Sequence, residues 1–168
     1  MEKMRILEAD RKRLRKWIET QQGMVISDDP AIAAATEPVF LAIQKVFPSF
    51  WECVTLQFCY VGDEQSEEYR NDDGISWKDV TSDAGTLFAV GLSREATEQG
   101  FEYAAMIAMH ELCHVLCDIA EICEIHEHDR HFHNVLDGLI KRFNDQTGLT
   151  VKNDYFGIGS HFDGRIKH

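Results

Sequence analysis

The sequence predicts an α+β fold: N-terminal helices, a small sheet, then a central helix followed by a second helix that faces it. Three observations lead there. Apolar residues recur at helical spacing between residues 3 and 22. Residues 51–61, WECVTLQFCYV, alternate as a strand does. A long stretch, residues 97–119, is apolar on nearly every side and yet holds His110, Glu111 and His114. With 168 residues, 44% of them hydrophobic, the chain is expected to form one domain, 1–168.

The elements follow in order. Leu7, Leu14, Trp17 and Ile18 make the apolar stripe of the first helix. Its RKRLRK run, residues 11–16, reads either as a solvated face or as a dock for an acidic partner. Asp29-Pro30 starts a second helix with an N-cap acceptor and a proline that needs no N–H there. That helix runs to about Val46, Pro38 kinks or restarts it, and Pro48 marks its stop. In the strand that comes next, Val54, Leu56, Phe58 and Tyr60 share a side. GDEQSEEYRNDDG, residues 62–74, reads as a loop, without the ordered ligand spacing of a calcium site. Thr86–Leu92 is a second strand. Ser93 then caps or precedes a long helix from about Thr97 to Ile119. A last helix spans about Asp129–Thr147 and ends near Gly148, and the tail beyond it is irregular.

Composition bounds the partners. The net charge of −12 disfavours nucleic acid and anionic membranes, which reward Lys and Arg. No apolar run reaches the roughly 20 residues of a membrane span. The N-terminus, MEKMRILEADRKR, has no apolar core of a secretory signal, and the five cysteines are odd in number. The expected compartment is therefore the cytoplasm.

The third helix holds the chemistry. A helix apolar all round sits centrally in a domain, and buried polar groups there need partners. His110-Glu111-Leu112-Cys113-His114 places two imidazoles at i and i+4, where they can converge on one ion. Glu111 stands about 100° round the helix, so it flanks the ion as a general base and does not ligate it. A catalytic zinc needs a third protein ligand and an open position. Six of the eight histidines lie between His110 and His133. The further donors are His126, His128, His131 and His133, with Glu121, Glu124 and Cys123. Cys113 and Cys117 lie near the same helix face and read as small buried packing residues. A ligand from the next helix suits the geometry: His128 at its first turn aims back, and Phe132 packs inward. The metzincin pattern needs glycine and histidine where Cys117 and Ala120 stand. The gluzincin pattern needs a glutamate beyond Glu127, where there is none. NDYFG, residues 153–157, faintly resembles the aspartate-ligand motif of aspzincins, which makes Asp154 another candidate. Tyr155 or His161 is a possible oxyanion donor. Asp118, Asp129 and Asp137 are candidates to orient the ligand histidines.

AVGLS, HELCH and HDRHF together resemble the SprT-like zinc metallopeptidases and the small phage-type metallopeptidases near them, over roughly residues 85–145. The resemblance implies a zincin-like fold, Zn2+ as cofactor and a protein or peptide substrate. It implies His110, His114 and His128 as zinc ligands and Glu111 as catalytic acid/base. The chain departs from the family in lacking a CxxC pair for a C-terminal zinc ribbon, and in its acidity. Two other readings stand beside the peptidase: a non-catalytic, zinc-stabilised binding or regulatory module, and metal storage or sensing by the histidine-rich stretch.

Overall fold

The computed structural model describes residues 2–21, 25–61, 73–80, 85–121 and 128–153. In chain order these form α1 (Glu2–Gln21), β1 (Val25–Ile26), α2 (Pro30–Val46), α3 (Pro48–Trp51), β2 (Val54–Val61), β3 (Gly74–Asp79), β4 (Leu87–Ser93), α4 (Arg94–Glu98), α5 (Phe101–Ile119) and α6 (Arg130–Thr147). The fold is α+β. The sheet order is β1-β2-β4-β3, with β2 and β4 parallel and both outer pairings antiparallel.

β4 explains the layering. Every one of its residues is buried, because helices cover both faces of the strand. Leu87 and Ala89 join a core with Leu14 and Ile18 of α1, Ile75 and Trp77 of β3, and Phe58 and Tyr60 of β2. Phe88, Val90 and Leu92 join a larger core with α2, α3, α5 and α6. The period of two thus divides one apolar run between two cores. α5 lies in the larger core between β4 on one side and α2 and α6 on the others, which makes it the central helix.

Caps set the helix ends. Asp29 accepts from Ala31 N–H, with Pro30 at the first helical position of α2. α2 runs through Pro38 without interruption. Pro48 does more than stop that helix: it opens α3. Ser93 accepts from Ala96 N–H, but the helix it caps is the five-residue α4. The single helix expected from Thr97 is therefore two. Gly100 separates them at φ 112°, a left-sided conformation that no helix continues. The second-strand expectation holds within one residue at each end, while β1 and β3 had no place in the sequence reading.

The basic run of α1 is matched from within the chain. Arg11 donates to the Thr55 carbonyl at 3.1 Å, Arg13 pairs with Asp10 at 3.0 Å, and Arg15 bridges Glu19 at 2.9 Å and Asp28 at 2.6 Å. Lys12 lies 3.6 Å from Glu8. These contacts pair Lys12, Arg13 and Arg15 with acids on a solvated face. The Leu7 side chain and the 62–72 segment lie outside the described residues. No helix among the described residues is long and apolar enough to cross a membrane.

Candidate metal centre

His110 and His114 stand one turn apart in the second half of α5, 1% and 2% exposed, with Glu111 between them at 0%. Such burial of three ionisable groups is costly unless each is paired or bound. The third imidazole comes from across the gap between helices. His128 is half-buried and immediately precedes the N-cap of α6. Asp129 is that cap, and its carboxylate accepts from Phe132 N–H at 2.9 Å. Cys113 Sγ on α5 lies 3.6 Å from the Phe132 carbonyl, which ties the first turn of α6 to α5. The expectation placed His128 inside the first turn; it sits two residues before the helix begins.

The three Nε2 atoms form a near-equilateral triangle: 3.1 Å between His110 and His114, 3.2 Å between His110 and His128, and 3.0 Å between His114 and His128. No placement of protons makes all three contacts good hydrogen bonds, because each contact needs one N–H and one lone pair. Three neutral rings with their Nε2 lone pairs turned inward form the donor set of a cation instead. Tetrahedral bonds of about 2.0–2.1 Å would put such nitrogens about 3.3 Å apart. The residues present therefore fit a metal ion, and three imidazoles suit Zn, Cu, Fe or Ni. Among the described residues the group has three members and no fourth protein donor.

Phe132 backs the triangle. Its ring, 0% exposed, lies 5.0, 4.4 and 4.9 Å from the centroids of His110, His114 and His128. Glu111 meets β3: Gly74 is packed against Ile107 and Glu111 so closely that no Cβ would fit. Two polar ties flank that approach. The Tyr103 hydroxyl on α5 donates a short hydrogen bond to the Asp73 carboxylate. Burial pushes the Asp73 carboxyl above its ordinary range, against the pull of Tyr103 and with a smaller push from Glu95. At the other end of β3, Lys78 and Asp118 pair at 3.0 Å.

Other sequence candidates go elsewhere. His131 is exposed on α6 and is not among the three convergent histidines, because it falls on the face turned from α5. His133 is half-buried and also outside the group, and Glu121 is exposed. Cys113 and Cys117 are buried, their sulfurs 4.0 Å apart, as packing residues should be. The acids expected to orient the histidines have other partners: Asp118 holds Lys78, Asp129 caps α6, and Asp137 accepts from Asn153 at 3.0 Å. His126, Cys123, Glu124, Asp154, Tyr155 and His161 lie outside the described residues. The Asp73–Tyr103 tie was missed, since a separation of 30 positions along the chain leaves it no local signature.

A trough of about 350 Å³ runs between α1, α2 and β2, lined by Arg15, Thr36, Gln44 and Gln57 among others, and none of the three histidines faces it. No protein-family model, curated protein or solved structure matches the chain.

Proposed function

We propose that the chain is a zinc-dependent metallopeptidase of zincin-like fold, akin to the SprT-like enzymes, in which His110, His114 and His128 hold Zn2+ and Glu111 is the general base. The observation that carries this reading is the triangle of Nε2 atoms, 3.0–3.2 Å on a side, built from two helices beside a buried carboxylate. When bound, zinc supplies Lewis-acid polarisation of a carbonyl and acidifies water. The protein's own groups do the rest. Phe132 closes one side of the site to water, and the i, i+4 spacing fixes the relation of two of the rings. Glu111 takes a proton from the attacking water and returns it to the leaving amine. Three protein donors are the number a catalytic zinc site takes from its protein, the remaining position being kept for chemistry.

The substrate on this reading is a protein or peptide, and the net charge of −12 counts against nucleic acid. The four described cysteines are free, which fits a reducing compartment such as the cytoplasm. The test is Glu111→Gln. It should keep one zinc per chain by elemental analysis and lose peptide hydrolysis by about 10²–10⁴-fold. Survival of activity would remove Glu111 from its role.

One observation favours the second reading, a non-catalytic zinc-stabilised module: Glu111 is 0% exposed. On that reading the wild type binds zinc and cleaves no peptide, and Glu111→Gln changes nothing but stability.

A further inference from the structure

β3 begins directly over the acid of the HELCH motif. A Cβ on Gly74 would stand 2.5 Å from Ile107 Cγ2, 2.9 Å from Glu111 Cγ and 3.1 Å from Glu111 Oε1. Close-packed interiors have no slack for a methyl group at such distances. Gly74 has no positive φ, so it is the closeness of approach that calls for glycine here.

The neighbours of the strand form a pattern on α5. Tyr103, Ile107 and Glu111 follow at i, i+4 and i+8, and Asp118 comes two turns later, so all four share one stripe of the helix. β3 lies along that stripe, fastened at both ends. At its start Asp73 accepts from Tyr103, and the Asp73 carbonyl accepts from Ser93 N–H at 3.0 Å. Near its finish Lys78 grips Asp118 at 3.0 Å. Between these anchors the backbone of Gly74 forms one wall of the pocket that holds the Glu111 carboxylate.

We infer that Gly74 is a positioning residue: its bare backbone, clamped by Asp73–Tyr103 and Lys78–Asp118, fixes where the Glu111 carboxylate sits. The inference rests on the proposed function. A methyl group at Gly74 moves either the strand or the carboxylate, and a shift of about 1 Å in a reacting group costs on the order of a hundredfold in rate.

The probe is acetohydroxamate, which chelates zinc and donates a hydrogen bond to an adjacent carboxylate. Its affinity for the zinc-loaded protein is measured by calorimetry in the wild type, Glu111→Gln, Gly74→Ala, Tyr103→Phe and the Gly74→Ala/Glu111→Gln pair. Losing a hydrogen bond to a charged group should weaken binding by about tenfold or more in Glu111→Gln. Gly74→Ala should weaken it comparably while one zinc per chain is retained. In the pair, Gly74→Ala should add nothing further, because both changes act through one carboxylate. Gly74→Ala should also lower kcat and leave KM within about twofold. Tyr103→Phe, a milder change, should weaken binding about two- to threefold. Wild-type affinity in a zinc-loaded Gly74→Ala protein overturns the inference, as do full additive losses in the pair. Should Gly74→Ala fail to fold, wild-type affinity in Tyr103→Phe overturns it. A wild type that takes up no zinc, or binds no acetohydroxamate when loaded, overturns the proposed function and this inference with it.

Discussion

The two faces of the sheet differ in where they gather ionisable side chains. On the α1 face Leu14, Ile18, Ile75, Trp77, Leu87 and Ala89 form an apolar core, and one acid, Asp79, is buried at the end of β3 beside Leu87. The charges of α1 stay on the outside, where acids close by in the chain match them. On the α5 face two histidines and a glutamate lie within the layer of Met106, Met109, Leu112 and Phe132. Exposed ion pairs contribute about 0–1 kcal/mol each and say little about function. Buried imidazoles cannot be so cheap, and they are tolerated where something binds them. The contrast teaches where to look: at the place where burial and polarity conflict, not where charge is densest.

The sharpest way to break that comparison is a paired truncation. Phe132→Ala should cost about 3–5 kcal/mol of stability and Leu14→Ala about 2–5 kcal/mol, by thermal or denaturant melts. Only the first should also weaken zinc binding, since Phe132 backs all three histidines. Equal loss of zinc affinity in both would erase the distinction between the faces.

Next in size is the metal itself. At free zinc about 100–1,000 times its dissociation constant, the bound form should gain about 3–4 kcal/mol over chelator-treated protein, seen as a higher melting temperature. His128→Ala should remove this zinc-dependent increment. A full increment in that variant would move the third ligand to another residue.

The smallest effect belongs to the other face. Arg15→Ala removes the pairs with Asp28 and Glu19, yet should cost less than about 1 kcal/mol and less still at high salt. The guanidinium holds the Asp28 carboxyl below its usual range, so whatever it contributes is present at neutral pH and lost as pH falls through the depressed Asp28 value. A large, salt-independent loss would mean that α1 is more than a covering helix.

What could be read from the sequence follows from how local each signal is. α6 announces itself with Asp129 at one end and Gly148 at the other, and both are caps in the structure. The meeting of His128 with His110 and His114 was inferable from i, i+4 spacing and a facing helix start, although His128 stands ahead of the α6 cap and not inside its first turn. β3 was not legible. Only Ile75 and Trp77 are apolar, and they serve the α1 core, while Gly74 meets α5 itself and Lys78 pairs with Asp118 there. Its place is set by register with β4, Gly74 opposite Leu92, which no local pattern records. The break before α5 depends on one glycine, Gly100, in a stretch otherwise fit for helix.

Strand order has a last consequence, for the sequence of assembly. β3 follows β2 in the chain, yet β2 takes β4 as its parallel neighbour and β3 is left to add on the outer side of β4. The strand above Glu111 has no mate until a later segment has docked, so the surroundings of the carboxylate are completed after the central ladder, not with it. Pulse-labelled hydrogen exchange during refolding should find amides of β2 and β4 protected before those of β3; simultaneous protection would mean that all three strands condense in a single event.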